Sequence, residues 1–312
     1  MSASVKRYTG KSYPYTWPNG ASVVVLPSVV FELWSEGVTP GKNIPHGFIG
    51  GGVGKIDKKR DLRVEMMIEF GGKVGMERLL ELLDREHALC SVLATGRAVE
   101  VYADLVREYH RRGHEIAGHS YAEDISSYDF GEEDAENERQ NIRKTADAIE
   151  RVIGQRPVGW LSPRSSPSVN SLRLLAEEGL LWSGDYPDDE LPEVEEVNGK
   201  PVVKLPYSSL PVNDYQITMT RGNPPSTYVE EFCKTLDLLR EEAAETGRPG
   251  LLRCSVHAHV YGHSWGRWAF RDVIRYAKSF SDVLITTRAA LAKHILGQYA
   301  AREKGVGAAG QR

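Results

Sequence analysis

Three cysteines in 312 residues, Cys90, Cys233 and Cys254, stand too far apart for a disulfide framework or a zinc knuckle. Each reads as a buried, inert thiol. No apolar run approaches the roughly 20 residues of a membrane-crossing helix, and the opening MSASVKRYTGKSYPYTW lacks the apolar core of a secretory signal. A cytoplasmic protein with no membrane partner is expected. Nor is positive charge in surplus: 39 Lys plus Arg against 43 Asp plus Glu leave a net charge of −4, which argues against nucleic acid as a partner. Covalent-nucleophile signatures are missing too, since there is no G-x-S-x-G elbow and no cysteine with a local histidine motif. The glycine-rich HGFIGGGVGKID (46–57) places Ile56 after Lys55, where a phosphate-binding loop needs Ser or Thr, so it reads as a hinged loop over a site.

What is present is an ordinary folded composition, 41% hydrophobic and 26% charged, with enough length for one large core. From about Ala21 onward, short β-branched runs alternate with longer amphipathic ones, the pattern of a parallel sheet wrapped by helices. Strands are predicted at 21–34, 88–95, 115–119, 158–161, 180–184, 201–207, 251–260 and 282–287. Helices are predicted at 75–87, 98–112, 132–152, 168–180, 226–246, 266–280 and 288–298. With no linker in view, the reading is one α/β domain over 1–300, a (β/α) barrel rather than an open doubly wound sheet, followed by a frayed tail at 301–312.

Both architectures bind ligands at the C-terminal strand ends, so the residues leaving each strand carry the functional reading. Those positions hold Glu32, with Trp34 and Glu36 close behind, then His119, Arg164, Asp188 and Asp189, Asn213 and Asp214, and finally His257, His259 and His263. His257 and His259 are two apart, so on an extended strand both face one way. A zinc site built from them with His119 and Glu32 is one possibility; a structural imidazole is the plain alternative for His259 and His263. A carboxylate ending a strand as apolar as VVVLPSVVF is partly desolvated, which raises its pKa unless a cation sits nearby and suits Glu32 to act as a base. Arg164, in SPRSSPS, is either a solvated loop cation or a two-pronged clamp for a carbonyl or anion.

The stretches FELWSEG, EFGGKVGMERLLELLDRE, GHEIAGHSY, GWLSPRSSPSVNSLRLLAEEG, DYPDDELP, LPYSSLPVND, VHAHVYGHSWGRWAFRDVIRY and ITTRAALAKHI, in this order, resemble the polysaccharide-deacetylase superfamily. Within it they are most similar to the allantoinase and cyclic-imidase branch. The likeness runs from about Trp17 to His294. It implies a distorted seven-stranded (β/α) barrel, hydrolysis of carbon–nitrogen bonds other than peptide bonds, and a homo-oligomer. Metal-dependent deacetylases of the superfamily hold their metal with an aspartate after the first strand and two histidines four residues apart. This chain has Phe31 and Glu32 at the first place and Glu123 four residues after His119. The resemblance also casts His257 as acid toward the leaving nitrogen, and Asp188, Asp189, Asn213 and Asp214 as pocket residues for a small ureide or imide ring.

Amide hydrolysis needs a base for water, oxyanion stabilisation and an acid for nitrogen. Glu32 is assigned as base, Arg164 with His119 as oxyanion and carbonyl binders, and His257 as acid, with Trp34 and His259 among the substrate contacts. The expected substrate is a small cyclic amide, whose electrophilic carbonyl asks for less Lewis-acid help, so no cofactor is required; a zinc ion held by Glu32 or Glu123 is the alternative. A metal-dependent polysaccharide N-deacetylase and a catalytically silent metabolite-binding barrel are the competing readings.

Overall fold

In the computed structural model, residues 13–36, 38, 62–206 and 212–309 are described. The glycine-rich loop 46–57 lies outside the described residues. Nine strands form one sheet: β1 (Val23–Phe31), β2 (Ser91–Ala94), β3 (Glu115–Gly118), β4 (Gly159–Trp160), β5 (Trp182–Tyr186), β6 (Glu193–Val197), β7 (Lys200–Pro206), β8 (Gly250–His257) and β9 (Val283–Ile285). Seven run parallel in the order β7-β5-β4-β3-β2-β1-β8. Just after the chain leaves β7, Asn213 bridges Ser255 of β8 in parallel, and Ser255 donates to the Val212 carbonyl at 2.8 Å. That contact brings the two ends together, so the distorted seven-stranded barrel is what forms, with β6 and β9 as additions. β9 pairs with the lower half of β1.

β6 went unread in the sequence because EVEEV has only two apolar residues and both are partly exposed. It forms an antiparallel hairpin with β7 across Asn198 and Gly199, whose positive φ values of 52° and 76° make the tight turn that Asn-Gly favours. The helices are α1 (Leu62–Phe70), α2 (Met76–Arg85), α3 (Gly96–Val101), α4 (Ala103–Arg111), α5 (Ala135–Ile153), α6 (Ser171–Glu177), α7 (Pro225–Thr246), α8 (Ser264–Lys278) and α9 (Arg288–Ala309). α3 and α4 replace the single helix read at 98–112, broken at Tyr102, whose ψ is 43°. α9 runs on past 298 to Ala309, through the good helix formers Ala300 to Lys304.

The two-residue period of β1 fixes which side chains reach the barrel interior. Val23, Val25, Val29 and Phe31 pack outward against the helices, whereas Val24, Leu26 and Val30 join Trp17, Trp182, Leu205 and α9 on the other face. Continuing the alternation carries Glu32 inward. The same parity turns His119 inward with Ala117 of β3, and His257 inward opposite the outward Cys254 and Val256 of β8.

Helices α1 and α2 are one rod interrupted by a π-helical segment, Gly71–Gly75, the kind of insertion that often marks a functional site. Its glycines allow an unusually close approach to the turn after β8. A methyl on Gly75 would sit 2.1 Å from the Ala258 carbonyl oxygen, and one on Gly71 3.2 Å from the His259 nitrogen. Gly75→Ala is therefore expected to destabilise the fold by about 1–3 kcal/mol, as overpacking against backbone does, measured by denaturant unfolding.

Candidate active site

Backbone pairing at the barrel rim sets the level of each functional residue. Phe31 pairs with Ala94 and Ala94 with Gly118, so Glu32, Thr95 and His119 are each the first residue beyond the ladder. The loop after β3 then folds across the end of β1. Glu123 donates its backbone N–H to the Leu33 carbonyl at 3.0 Å, and Asp124 accepts from the Ser35 backbone at 2.6 Å. That crossing delivers the Glu123 carboxylate to the space between Glu32 and His119.

The result is a buried cluster of two carboxylates around one imidazole. His119 donates from Nδ1 to the Leu161 carbonyl at 2.6 Å, which leaves Nε2 facing Glu32 Oε1 at 3.4 Å and Glu123 Oε2 at 3.3 Å. Burial alone would lower the His119 pKa, yet the two carboxylates push it up to about 10. For Glu32 burial acts upward, and the facing His257 and His119 outweigh it and hold the carboxyl below its ordinary value. Glu123 moves the other way, raised by burial and by the negative charge of Glu32. The desolvation inferred for Glu32 is real, then, but the imidazoles beside it reverse its effect. Glu123 is the carboxylate with the higher proton affinity.

His257, the last residue of β8, faces Glu32 from the other side, with Nε2 3.7 Å from Oε1. Its Nδ1 lies 2.6 Å from Asp214 Oδ1. Asp214, fully buried, also accepts from the backbone nitrogens of His257 at 2.8 Å and Tyr261 at 3.2 Å. With the Tyr215 backbone nitrogen, which donates to Oδ1 at 2.8 Å, four donors fix this carboxylate, and it fixes the ring. Burial opposes the charged form of His257, but Asp214 and Glu32 push its pKa up to about 9.

His259 does not follow His257 on an extended strand, because β8 ends at His257 and the chain turns, with Val260 and Tyr261 donating back to the His257 carbonyl. Its ring meets that of His257 edge-on at 5.6 Å and that of Trp34 at 6.4 Å. Burial pushes its pKa down to about 4, so it is neutral where His257 is charged.

The other residues read from the sequence are more dispersed. Arg164 is exposed on the rim in a left-handed turn, φ 60°, with its charge acting on Tyr215, whose ring lies 5.5 Å from His257. Asn213 accepts from the Gln216 backbone and starts the π-helical turn that carries Asp214. Asp188 and Asp189 stay on the turn after β5, the first beside Lys204 at 3.8 Å and the second capping Glu190 and Leu191. Asp185, unread in the sequence, is the buried aspartate of that strand. It accepts from the Ser162 backbone at 2.9 Å, and burial pushes its pKa up to about 6. It holds the loop that leads to Arg164.

Glu32, His119 and Glu123 form a possible metal-binding triad, their donor atoms all within 4.8 Å of one another. Ligands bound to zinc at about 2.0–2.2 Å lie ~3.3–3.6 Å apart in a tetrahedron, which the contacts from His119 match. Glu123 Oε2, moreover, is buried and without a hydrogen-bond donor. These residues fit a divalent ion. The set recruits Glu123 rather than His257 or His259.

The profile of the polysaccharide deacetylase family matches residues 58–181, a span that includes His119 and Glu123. Over that span the chain matches a polysaccharide deacetylase domain. The architecture around the deacetylase motif agrees over nearly the full length. A "probable Polysaccharide deacetylase" from Pseudomonas aeruginosa PAO1 superposes with a TM-score of 0.76 at 27% identity, covering 89% of this chain and 92% of that one. PuuE allantoinase superposes with a TM-score of 0.76 at 27% identity, covering 93% and 94%. A Schizosaccharomyces pombe protein named "Putative polysaccharide deacetylase" is 25% identical over 252 residues, 75% of this chain and 76% of its own. The domain is thus that of a hydrolase of carbon–nitrogen amide bonds.

The His257–Asp214 pair makes stability pH-dependent. Because the folded-state pKa of His257 is raised, the stabilisation is complete below its unfolded value near 6.5 and is lost as pH rises through about 9. Asp214→Asn is expected to cost about 3–5 kcal/mol near pH 6, as loss of one partner of a buried ion pair does. The cost should shrink on passing pH 9, followed by urea unfolding across pH.

Proposed function

We propose that this protein hydrolyses the ring carbon–nitrogen bond of a small cyclic amide of the ureide, imide or hydantoin type. The observation that supports the reading most is the His257–Asp214 pair, an imidazole held protonated at the barrel mouth with Nε2 turned toward Glu32. The likeness to PuuE allantoinase supports the cyclic class.

In the proposed reaction, water gives a proton to the Glu32–Glu123 pair, and Glu123, with its raised pKa, is the stronger base of the two. The water oxygen bonds to the ring carbonyl carbon. His119, positive and tied to the Leu161 carbonyl, stabilises the oxyanion, with Arg164 clamping a second carbonyl from the rim. The ring carbon–nitrogen bond then breaks as His257 Nε2 hands its proton to the departing nitrogen, which leaves an open chain with a new carboxylate. Asp214 keeps the imidazole in place throughout. A divalent ion such as zinc, held by Glu32, His119 and Glu123, would supply Lewis-acid polarisation of the scissile carbonyl. The work of His257 and Asp214 is the same with or without it. That triad also favours a second reading, metal-dependent N-deacetylation of an amino-sugar polymer.

Turnover on a panel of cyclic amides beside N-acetylated amino-sugar oligomers separates the two; hydrolysis of the rings alone is expected, and hydrolysis of the oligomers alone overturns the proposal. Metal analysis of the same preparation decides whether the triad works as a proton relay or as a ligand set. His257→Ala should lower kcat by about 10²- to 10⁴-fold with KM little changed. In the parent enzyme the basic limb of activity should fall near pH 9, and Asp214→Asn should move that limb to lower pH.

A further inference from the structure

Beside the catalytic cluster lies a half-open, mostly apolar chamber of about 400 Å³ whose lining includes Met67, Phe70, Met219, Val260 and Trp265. We propose that this chamber receives an apolar substituent on the substrate ring, so that the preferred substrates are hydantoins or imides bearing an alkyl or aryl group. The inference rests on the ring-amide reading and narrows it.

Position supports it first. His259 lines the chamber and also meets His257 at 5.6 Å and Trp34 at 6.4 Å, so the space opens from the flank of the reaction centre. His259 therefore stands between a ring amide placed at His257 and the chamber. Chemistry supports it second. Hydroxyl-rich sugars and ureido groups need polar partners, and burying them against thioethers and aromatic faces leaves their donors unpaired. Apolar groups gain from the same burial. Phe70 and His263 stack at 3.6 Å with an interplanar angle of 4°, a flat surface that suits an aryl ring. Methionines at 67 and 219 are soft enough to accept several shapes. Among the described residues that line the chamber, Arg63 is the one with a permanent charge, since burial keeps His259 neutral and lowers His263.

One polar contact remains to be made. His259 is 3% exposed, and its Nε2 is buried without a hydrogen-bond partner in the protein. Such an atom calls for a ligand group. The N–H or carbonyl of a ring amide whose substituent fills the chamber would supply it. The backbone of His259 is braced by Gly71 in the π-helical segment, so its position is fixed from the helix that also carries Met67 and Phe70.

The test compares kcat/KM for hydantoin, 5-ureidohydantoin and 5-benzylhydantoin. The benzyl compound is expected to exceed both others by tenfold or more, the scale of discrimination an apolar pocket provides. Met67→Asp, with Met66→Asp at a position already 62% exposed, should bring that ratio toward unity, read as a ratio so that any general loss of activity cancels. Equal or better turnover of the unsubstituted ring overturns the chamber assignment and leaves the ring-amide reading standing. So does a benzyl preference that survives both aspartate variants. Failure of all three compounds and of succinimide overturns the ring-amide reading, and this inference with it.

Discussion

Charge balance among buried side chains is the constraint on which this structure depends. Glu32, Glu123 and Asp214 bring three carboxylates, while His119 and His257 can bring two positive charges, and all five are buried. Uncompensated burial of one charge would cost more than the fold can spare. One further positive charge is needed, either a proton held on the Glu32–Glu123 pair or a cation among Glu32, His119 and Glu123. The opposite pKa shifts of the two glutamates express that need. The same requirement explains the surroundings. Backbone groups of Leu161, His257 and Tyr261 are spent on orienting side chains, because each oriented dipole reduces the penalty of the buried charge.

Much of this was legible in the chain, for definite reasons. Apolar β-branched runs are a property of local sequence, so the polar residues at their ends can be named before any fold is known, and Glu32, His119 and His257 were found as such strand-end residues. Asp214 stood out as a carboxylate near a predicted strand exit, although its role as the anchor of His257 depends on the backbone of β8, forty-three residues later. What escaped notice was set by geometry rather than pattern. Asp188 and Asp189 drew the eye as a pair, yet the aspartate that is buried is Asp185, still inside β5. Periodicity locates a strand to within a few residues, and here that margin separates a solvated turn from the interior.

Glu123 shows the other kind of difficulty. Its spacing from His119 was visible as a departure from a histidine pair four residues apart, but only the folding of the β3 loop over the end of β1 brings it to Glu32. His259 likewise lost its strand-like partnership with His257 because the chain turns after β8, and the turn is dictated by contact with Gly71 and Gly75 from the helical rod. Alternation rules stop applying where a strand stops, and no local signal announced that end within VHAHV.

The π-helical segment between α1 and α2 has an evolutionary side. Five residues, Gly71–Gly75, pass the chain through one widened turn, so α1 is rotated relative to a continuous helix. In a regular α-helix each residue turns the axis by about 100°. Loss of a single codon in this stretch would restore the regular helix and swing α1 by roughly that angle, carrying Met67 and Phe70 off the chamber and withdrawing the glycine contact from His259. Glu32, His119, Glu123, Asp214 and His257 stand on other elements and would keep their positions. On the proposed reading, a lineage built on this barrel can therefore vary its substrate choice by insertion and deletion in one helix while the proposed catalytic residues are inherited intact.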